Sequence, residues 1–527
     1  MLNKLLSRFR PKTANDNTVL VLDIGTEFVK AMIFQIEENH GFITGYARIQ
    51  QKLGDMHAGA ISNIAGVTYN CEEAIQTAAK MAGYLPEQVV MGIAGELVRG
   101  ETTTISYTRE SPEVRIDLPE LRAIVQKVQT KAFEQVRREM ARDTGHREID
   151  VKLVNASVID SRIDGQHVSN PLGFQGKEVT LSIFNSFAPL LHFGALQTIA
   201  AELELDLLSI ATEPYAVSRV LETDSANNFA AIFIDVGGGT TDIALVRGGE
   251  LTTKMFPLGG RTFTKRLAQT LNIGMQEAER LKLEYSQNKL TSKRGAVQKA
   301  IEADTEVWLT GVQLGLSEMA GEKPLPAKIL LCGGGSRLPE IKHALESAEW
   351  IKNLPFRNRP SVKFIVPDDV PNFTDQTKLV RTVQDITPLA LANLGRQMAG
   401  EEKLFSLILR KTIKLLQNGF AVNAKIQTSG TLLTKPISKK NSLSIIARLS
   451  IWISMMKLQW FLSGFAAAVA SNSFSGFQSG QCCCRVWSAS RFCVSKQRIS
   501  VNKFSSLPKM KRGEISQRRQ VYKLRKK

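Results

Sequence analysis

The chain has 527 residues, of which 43% are hydrophobic, with six cysteines and a formal net charge of +18. This length allows two or more domains with a sizeable core, and six cysteines in so long a chain exclude a disulfide scaffold. The charge is uneven: residues 1–400 hold 44 basic and 47 acidic side chains, whereas residues 401–527 hold 24 and 3. The first part therefore gives no sign of nucleic-acid binding, and the basic remainder predicts an anionic partner.

The first recognisable element is a hairpin with a glycine in its turn. It follows a basic extension over 1–16, which lacks the apolar stretch of a signal peptide. Residues 19–34 predict a strand, a turn and a second strand. A glycine lets backbone N–H groups approach a phosphate closely, and an aspartate at a strand end can hold Mg²⁺ through water. The candidates are Asp23 for the metal, and Gly25 and Thr26 for the phosphate.

The first hairpin belongs to a predicted first lobe over 17–97 and 187–222. An α+β insertion over 98–186 interrupts this lobe. In the insertion, Asp117 is a plausible helix N-cap with Glu120 three residues later, the capping-box arrangement. The predicted elements are helices over Glu72–Ala82, Ile116–Gln135 and Leu190–Leu203, and strands over Gln88–Ile93, Val151–Asp160 and Lys177–Phe184.

A second glycine hairpin spans residues 231–246, with its aspartate 212 residues after Asp23. Either hairpin alone could be an ordinary turn that its aspartate caps. Two of them facing each other would clamp the phosphates of one nucleotide. The second set of candidates is Asp235 for Mg²⁺, and Gly237, Gly238, Gly239 and Thr240 for phosphate.

A third element is a buried strand over Lys328–Cys332 that enters a glycine-rich turn, with Pro339 early in the following helix. Glycines here would let a base and a ribose lie against the backbone. The candidates for adenosine contacts are Gly334, Gly335 and Ser336.

The order hairpin, hairpin, strand–turn–helix resembles the actin-like ATPase superfamily, which includes actin, DnaK-type chaperones and sugar kinases. The resemblance implies an α/β fold with duplicated ribonuclease-H-like lobes, the second over 223–400. Within the superfamily, the chain is similar over about 17–400 to the cell-division family FtsA. The segments that carry this likeness are Gly92–Glu96, Val168–Gly176, Phe256–Thr264 and Glu277–Lys282. The pilus-assembly family PilM shares the hairpins and a similar insertion and is the alternative.

The resemblance implies ATP and Mg²⁺ as ligands and adds three site residues. In relatives such as MreB, a Glu-Pro-x-Ala segment supplies the carboxylate that orients the attacking water, which assigns this role to Glu213 beside Asp23 and Asp235. The alternative is a surface glutamate before a helix-starting proline. Glu279 and Lys282 would contact ribose and adenine, or form an ion pair on a solvated face. Slow Mg²⁺-dependent hydrolysis would follow from Glu213, and the sequence leaves open whether the chain is an enzyme.

Beyond residue 400 the sequence predicts a basic amphipathic helix over 401–417, whose segment 403–416 suits an anionic membrane surface. The alternative is a final helix packed on the core. Residues 418–527 are typical either of a disordered basic tail or of a shifted reading frame, and they carry no functional assignment.

The resemblance implies a protein that forms filaments at the cytoplasmic face of the cell membrane, at the division site, and tethers the tubulin-like protein FtsZ. It places FtsZ contacts around 265–325 and implies no nucleic-acid partner. The alternative function is a PilM-like adaptor of a type IV pilus machine. A metabolic kinase of this fold would need a sugar-kinase signature, and a chaperone would need a β-rich domain after the ATPase; neither is visible in the sequence.

Overall fold

The computed structural model describes residues 17–144, 150–221 and 229–399. The predicted extension over 1–16, the helix over 401–417 and the tail over 418–527 lie outside the described residues. In the part that is described, no helix is long and apolar enough to cross a membrane.

The described residues contain seventeen strands and nine α-helices. The strands are β1 (Thr18–Ile24), β2 (Phe28–Glu37), β3 (His40–Gln50), β4 (Met56–His57), β5 (Ala60–Ile61), β6 (Gln88–Ile93), β7 (Arg99–Thr108), β8 (Val151–Ile163), β9 (Gln166–His167), β10 (Glu178–Pro189), β11 (Asp206–Thr212), β12 (Ala231–Val236), β13 (Thr241–Arg247), β14 (Glu250–Phe256), β15 (Lys328–Cys332), β16 (Ser361–Phe364) and β17 (Phe373–Asp375). The helices are α1 (Ile64–Ala82), α2 (Leu118–Thr144), α3 (Leu190–Glu202), α4 (Glu213–Ser218), α5 (Gly260–Leu271), α6 (Met275–Ser286), α7 (Arg294–Ala320), α8 (Pro339–Glu346) and α9 (Ile386–Ala399).

Two sheets repeat one topology. The first has the order β11-β6-β1-β2-β3-β17, and five strands of the second follow as β16-β15-β12-β13-β14. In each, the central strand is antiparallel to its hairpin partner (β1 with β2, β12 with β13) and parallel to the strand on its other side (β6 or β15). The fold is therefore α/β with duplicated lobes, which confirms the predicted actin-like fold class.

Both sheets are covered on both faces, which explains why β1 and β12 are apolar along their length. Helices α1 and α3 pack on the outer face of the first sheet, and α5 to α8 on that of the second. Helices α4 and α9 lie in a core between the two sheets, against Val19, Phe34 and Phe233 among others. This shared core fixes the first hairpin relative to the second.

The insertion adds strands to the second sheet rather than to the first. Strands β7, β10, β8 and β9 continue that sheet beyond β14, and α2 packs on β7 and β10. The junction is short, with Thr252 opposite Glu101 and Thr253 opposite Gly100. Asp117 caps α2 as predicted, because its side chain accepts a hydrogen bond of 2.9 Å from the Glu120 N–H.

The end of the described chain departs from the predicted second lobe over 223–400. Strand β17 pairs in parallel with β3, and α9 packs on β1, β2 and β6 of the first sheet. The predicted boundary is wrong there, because pairing with β3 depends on contacts between residues more than 300 positions apart, which no local pattern reports.

Candidate nucleotide-binding site

The turns of the two hairpins touch each other. A Cβ placed on Gly239 would lie 2.4 Å from Thr26 Oγ1, and one on Gly238 would lie 2.8 Å from Glu27 Cβ. At contacts this short, a side chain on either glycine would force the first hairpin to shift. The glycine run thus permits the close approach of the hairpins, and its three residues line the space between the lobes.

The register of each hairpin sets a charged partner opposite its aspartate. Asp23 lies opposite Lys30, whose Nζ donates to Asp23 Oδ2 at 2.8 Å and to the Gln384 carbonyl at 2.8 Å. Burial lowers the pKa of Lys30, but Asp23, Asp235 and Asp385 together raise it more, so the net pKa lies above its ordinary value. Asp235 lies opposite Asp242 instead. Burial, and then the charge of Asp235, raise the pKa of Asp242 well above its usual range.

Asp235 is held by groups from other parts of the chain. Thr387 Oγ1, on α9, donates to Asp235 Oδ2 at 2.5 Å. Burial raises the pKa of Asp235, whereas the Thr387 hydrogen bond and Lys30 oppose that rise. On the other side, Gly333 has φ +83°, and a Cβ there would lie 2.0 Å from Asp235 Oδ1. The third motif therefore closes directly on the carboxylate of the second.

Glu213 is the first residue of α4 and is 8% exposed. A buried residue does not fit the alternative of a surface glutamate. Its Oε1 has no hydrogen-bond partner among the described residues. Burial, and then the charges of Asp23 and Asp242, raise the pKa of Glu213 well above its usual range. An unpaired buried carboxyl costs free energy, and such groups concentrate at sites that bind or react.

In the turn after β15, Gly334 and Gly335 line the cleft, but Ser336 does not. Ser336 is 1% exposed, and its hydroxyl donates to the Gly333 carbonyl at 2.7 Å. Ser336 thus holds the turn in this structure, and its adenosine contact stays a prediction.

Helix α6 brings Glu279 and Lys282 to the same wall. Lys282 Nζ lies 2.8 Å from Glu279 Oε2 and also donates to the Gly260 carbonyl and to Thr264 Oγ1, each at 2.9 Å. Lys282 is 8% exposed. The predicted ion pair exists, but it does not lie on a solvated face.

These walls line one cleft with about 1040 Å³ of empty space, part of which is open solvent. Every residue predicted for the site except Ser336 lines it. Sequence reasoning missed Glu27, Lys30, Asp242, Arg261, Gln384 and Thr387. Lys30 and Asp242 each follow their aspartate by seven positions, so the hairpin register could have found them. The others come from turns and helices whose contacts only the tertiary structure sets.

The residues present fit a nucleotide with its metal. Two aspartates, an unpaired glutamate and a lysine stand beside glycine turns that leave room for phosphate. Mg²⁺ usually keeps several waters and binds one or two carboxylates together with phosphate oxygens. Asp23 and Asp235 would supply those carboxylates. In the described part of the chain, no three His, Cys, Asp or Glu side chains are grouped to ligate a metal by themselves.

Comparisons with known proteins agree with this geometry. Residues 232–384 match the family model of cell division protein FtsA. The chain is 24% identical over 410 residues to FtsA of Neisseria meningitidis, covering 72% of this chain and 91% of the relative. It is 24% identical over 408 residues to FtsA of Pseudomonas aeruginosa, covering 73% and 89%.

Among solved structures, the PilM-PilN type IV pilus biogenesis complex superposes with a TM-score of 0.51 at 16% identity, covering 73% of this chain and 99% of that one. A likeness at this identity concerns the fold. Together with the cleft and the FtsA matches, it leads to one conclusion: the chain has the actin-like ATPase fold and is similar in sequence to the cell division protein FtsA.

Proposed function

We propose that the chain binds ATP with Mg²⁺ in this cleft and acts as an actin-like cell-division protein that forms filaments and tethers FtsZ at the cytoplasmic face of the membrane, at the division site. The observation that carries the proposal is the meeting of two glycine hairpins, each with an aspartate, around a buried unpaired carboxyl. This arrangement suits phosphates and a hydrated cation.

In this proposal, different walls of the cleft contact the metal, the phosphates, the attacking water and the adenosine. Asp23 and Asp235 hold Mg²⁺ through water, and the backbone amides of both hairpins, with the Thr26 and Thr240 hydroxyls, hold the phosphates. Glu213 orients the attacking water, which is most of what phosphoryl transfer asks of a protein. The adenosine lies against the 333–335 turn and α6, near Glu279 and Lys282.

The division role is supported by the relatives. The N. meningitidis and P. aeruginosa proteins are named as cell-division proteins and match over about nine-tenths of their length. The PilM likeness supports the fold alone, so the pilus role remains the alternative. Membrane binding is supported by the basic, amphipathic sequence of 403–416.

Fluorescent-ATP titration with and without Mg²⁺ tests the site. We expect saturable, Mg²⁺-dependent binding that Asp235→Asn weakens at least about tenfold. A co-sedimentation assay with anionic liposomes tests binding to FtsZ and to the membrane. It compares the full chain with a truncation at Gly400, each with and without FtsZ. Lipid-dependent pelleting of FtsZ by the full chain only is the expected result. Binding of ATP without any effect on FtsZ would contradict the division role.

A further inference from the structure

Arg261, the second residue of α5, reaches across the cleft from the second lobe to the first. Its Nε donates to Glu27 Oε2 at 2.7 Å, and its Nη1 donates to the Met56 carbonyl at 3.3 Å. Both acceptors belong to the first lobe. The Arg261 and Glu27 side chains are 11% and 21% exposed, so this ion pair is largely shielded from water.

The backbone around Arg261 is fixed to the second hairpin. The Arg261 N–H donates to the Gly238 carbonyl and the Gly260 N–H donates to the Gly237 carbonyl, each at 2.8 Å. Glu27 directly follows Thr26 in the turn of the first hairpin. The guanidinium therefore lies beside both turns that are proposed to hold phosphate.

One donor of this guanidinium is unpaired. Three cations line the cleft among the described residues: Lys30, Lys282 and Arg261. The amines of both lysines have carboxylate and carbonyl partners. Arg261 Nη2, in contrast, is buried and has no hydrogen-bond partner within residues 17–144, 150–221 and 229–399. A buried, unpaired N–H of a charged group is unfavourable until an acceptor reaches it, and the planar fork of arginine suits phosphate oxygens.

We infer that Arg261 is a phosphate-binding residue that also links the lobes: Nε holds Glu27 of the first lobe while Nη2 donates to the phosphate chain of the nucleotide. This rests on the proposed function, since it assigns a further residue to the same site. Its consequence is that phosphate binding and closure of the lobes share one side chain.

The test uses two substitutions that break the same ion pair from opposite sides. Arg261→Gln removes the cation, so ATP affinity should fall about tenfold or more, as expected for loss of a charge-assisted hydrogen bond. Glu27→Gln removes the anion and leaves Arg261 in place beside the phosphates. ATP affinity should then stay constant or rise about twofold, because a negative charge has left the cleft. Arg261→Lys keeps the charge but not the fork and should lie between.

Fluorescent-ATP titration with Mg²⁺ measures the ATP affinity of the unmodified full chain and of its three variants. Thermal unfolding reports any loss of stability that the variants share. Arg280→Gln is the matched control, because Arg280 is 58% exposed and pairs with Glu284 on the outside of α6. If Arg261→Gln and Glu27→Gln weaken ATP binding equally, Arg261 is only a structural link and the inference is wrong. If Arg261→Gln binds ATP like the unmodified chain, the inference also fails. Absence of ATP binding by the unmodified chain would overturn the proposed function, and this inference with it.

Discussion

Glu213→Gln should make the protein more stable while it slows ATP hydrolysis. The substitution keeps the shape of the side chain and removes its negative charge. Glu213 is 8% exposed, lies close to other carboxylates, and has no partner at Oε1 in the part of the chain that the structure describes. The amide of Gln still lacks a partner at this position but carries no charge, so the substitution removes only the cost of the buried charge and its repulsion by the neighbouring aspartates. An unpaired buried group costs about 1–3 kcal/mol, and a charged group costs more than a neutral one. Relief of about 2 kcal/mol corresponds to a rise in Tm of roughly 2–3 °C for a domain of this size.

The effect should depend on pH in a definite direction. Burial and the neighbouring aspartates raise the pKa of Glu213 in the folded protein above its ordinary value of 4.5. The stability contributed by the protonated form is therefore present at low pH and is lost as the pH rises through the raised pKa. The Tm difference between the variant and the unmodified protein should be largest at alkaline pH and shrink towards pH 4.5.

Differential scanning fluorimetry from pH 5 to 9 without Mg²⁺ measures the stability, and phosphate release measures hydrolysis. Loss of a positioned base typically costs about 100-fold or more in rate. Glu349→Gln is the control, because that side chain is 82% exposed and the same chemical change should leave Tm nearly unaltered. A lower Tm for Glu213→Gln at pH 8 would refute the reasoning, since it would mean that the carboxylate is favourably paired.

Three further substitutions test other parts of the structure. Thr387→Ala removes a hydrogen bond that lowers the pKa of Asp235, so Mg²⁺-dependent ATP binding should weaken about fivefold. On acidification, the variant should lose ATP binding at a higher pH than the unmodified chain does. Fluorescent-ATP titration between pH 5.5 and 8 measures both effects. Gly239→Ala forces a Cβ against Thr26 Oγ1, so ATP affinity should fall about tenfold or more in the same titration. Burial and two nearby glutamates raise the pKa of Glu101, so Glu101→Gln should raise Tm at pH 8 and have little effect at pH 5.

Matched variants separate these effects from general damage. Thr387→Ser keeps the hydroxyl and should bind as the unmodified chain does. Gly194→Ala places a Cβ in open space on α3 and should leave ATP binding unchanged. Equal ATP affinity of Gly239→Ala and Gly194→Ala would contradict the proposed contact of the hairpins, and a Tm gain for Glu101→Gln that does not vary with pH would contradict the charge argument.

The sequence predicted what depends on local pattern. Apolar runs ending in Asp and Gly identified both hairpins, because a strand buried on both faces and a turn with close backbone approach each restrict residue type over a few positions. The order of the three glycine motifs, 23–26, 235–240 and 333–336, resembles the actin-like ATPase superfamily, and this resemblance implied the duplicated lobes. The seven-residue spacing from Asp23 to Lys30 was visible as well, although its meaning depends on the hairpin register.

The tertiary structure decided what depends on distant contacts. Thr387 reaches Asp235 across 152 positions, and Arg261 reaches Glu27 across 234. The sequence also could not show that β17 and α9 return to the first sheet, or that the insertion extends the second. The sequence by itself therefore predicted most of the candidate residues that line the cleft, whereas packing between the lobes determined which of them are buried or paired. The reason is physical: turn chemistry acts over a few residues, but burial and charge pairing depend on every element that closes around a site.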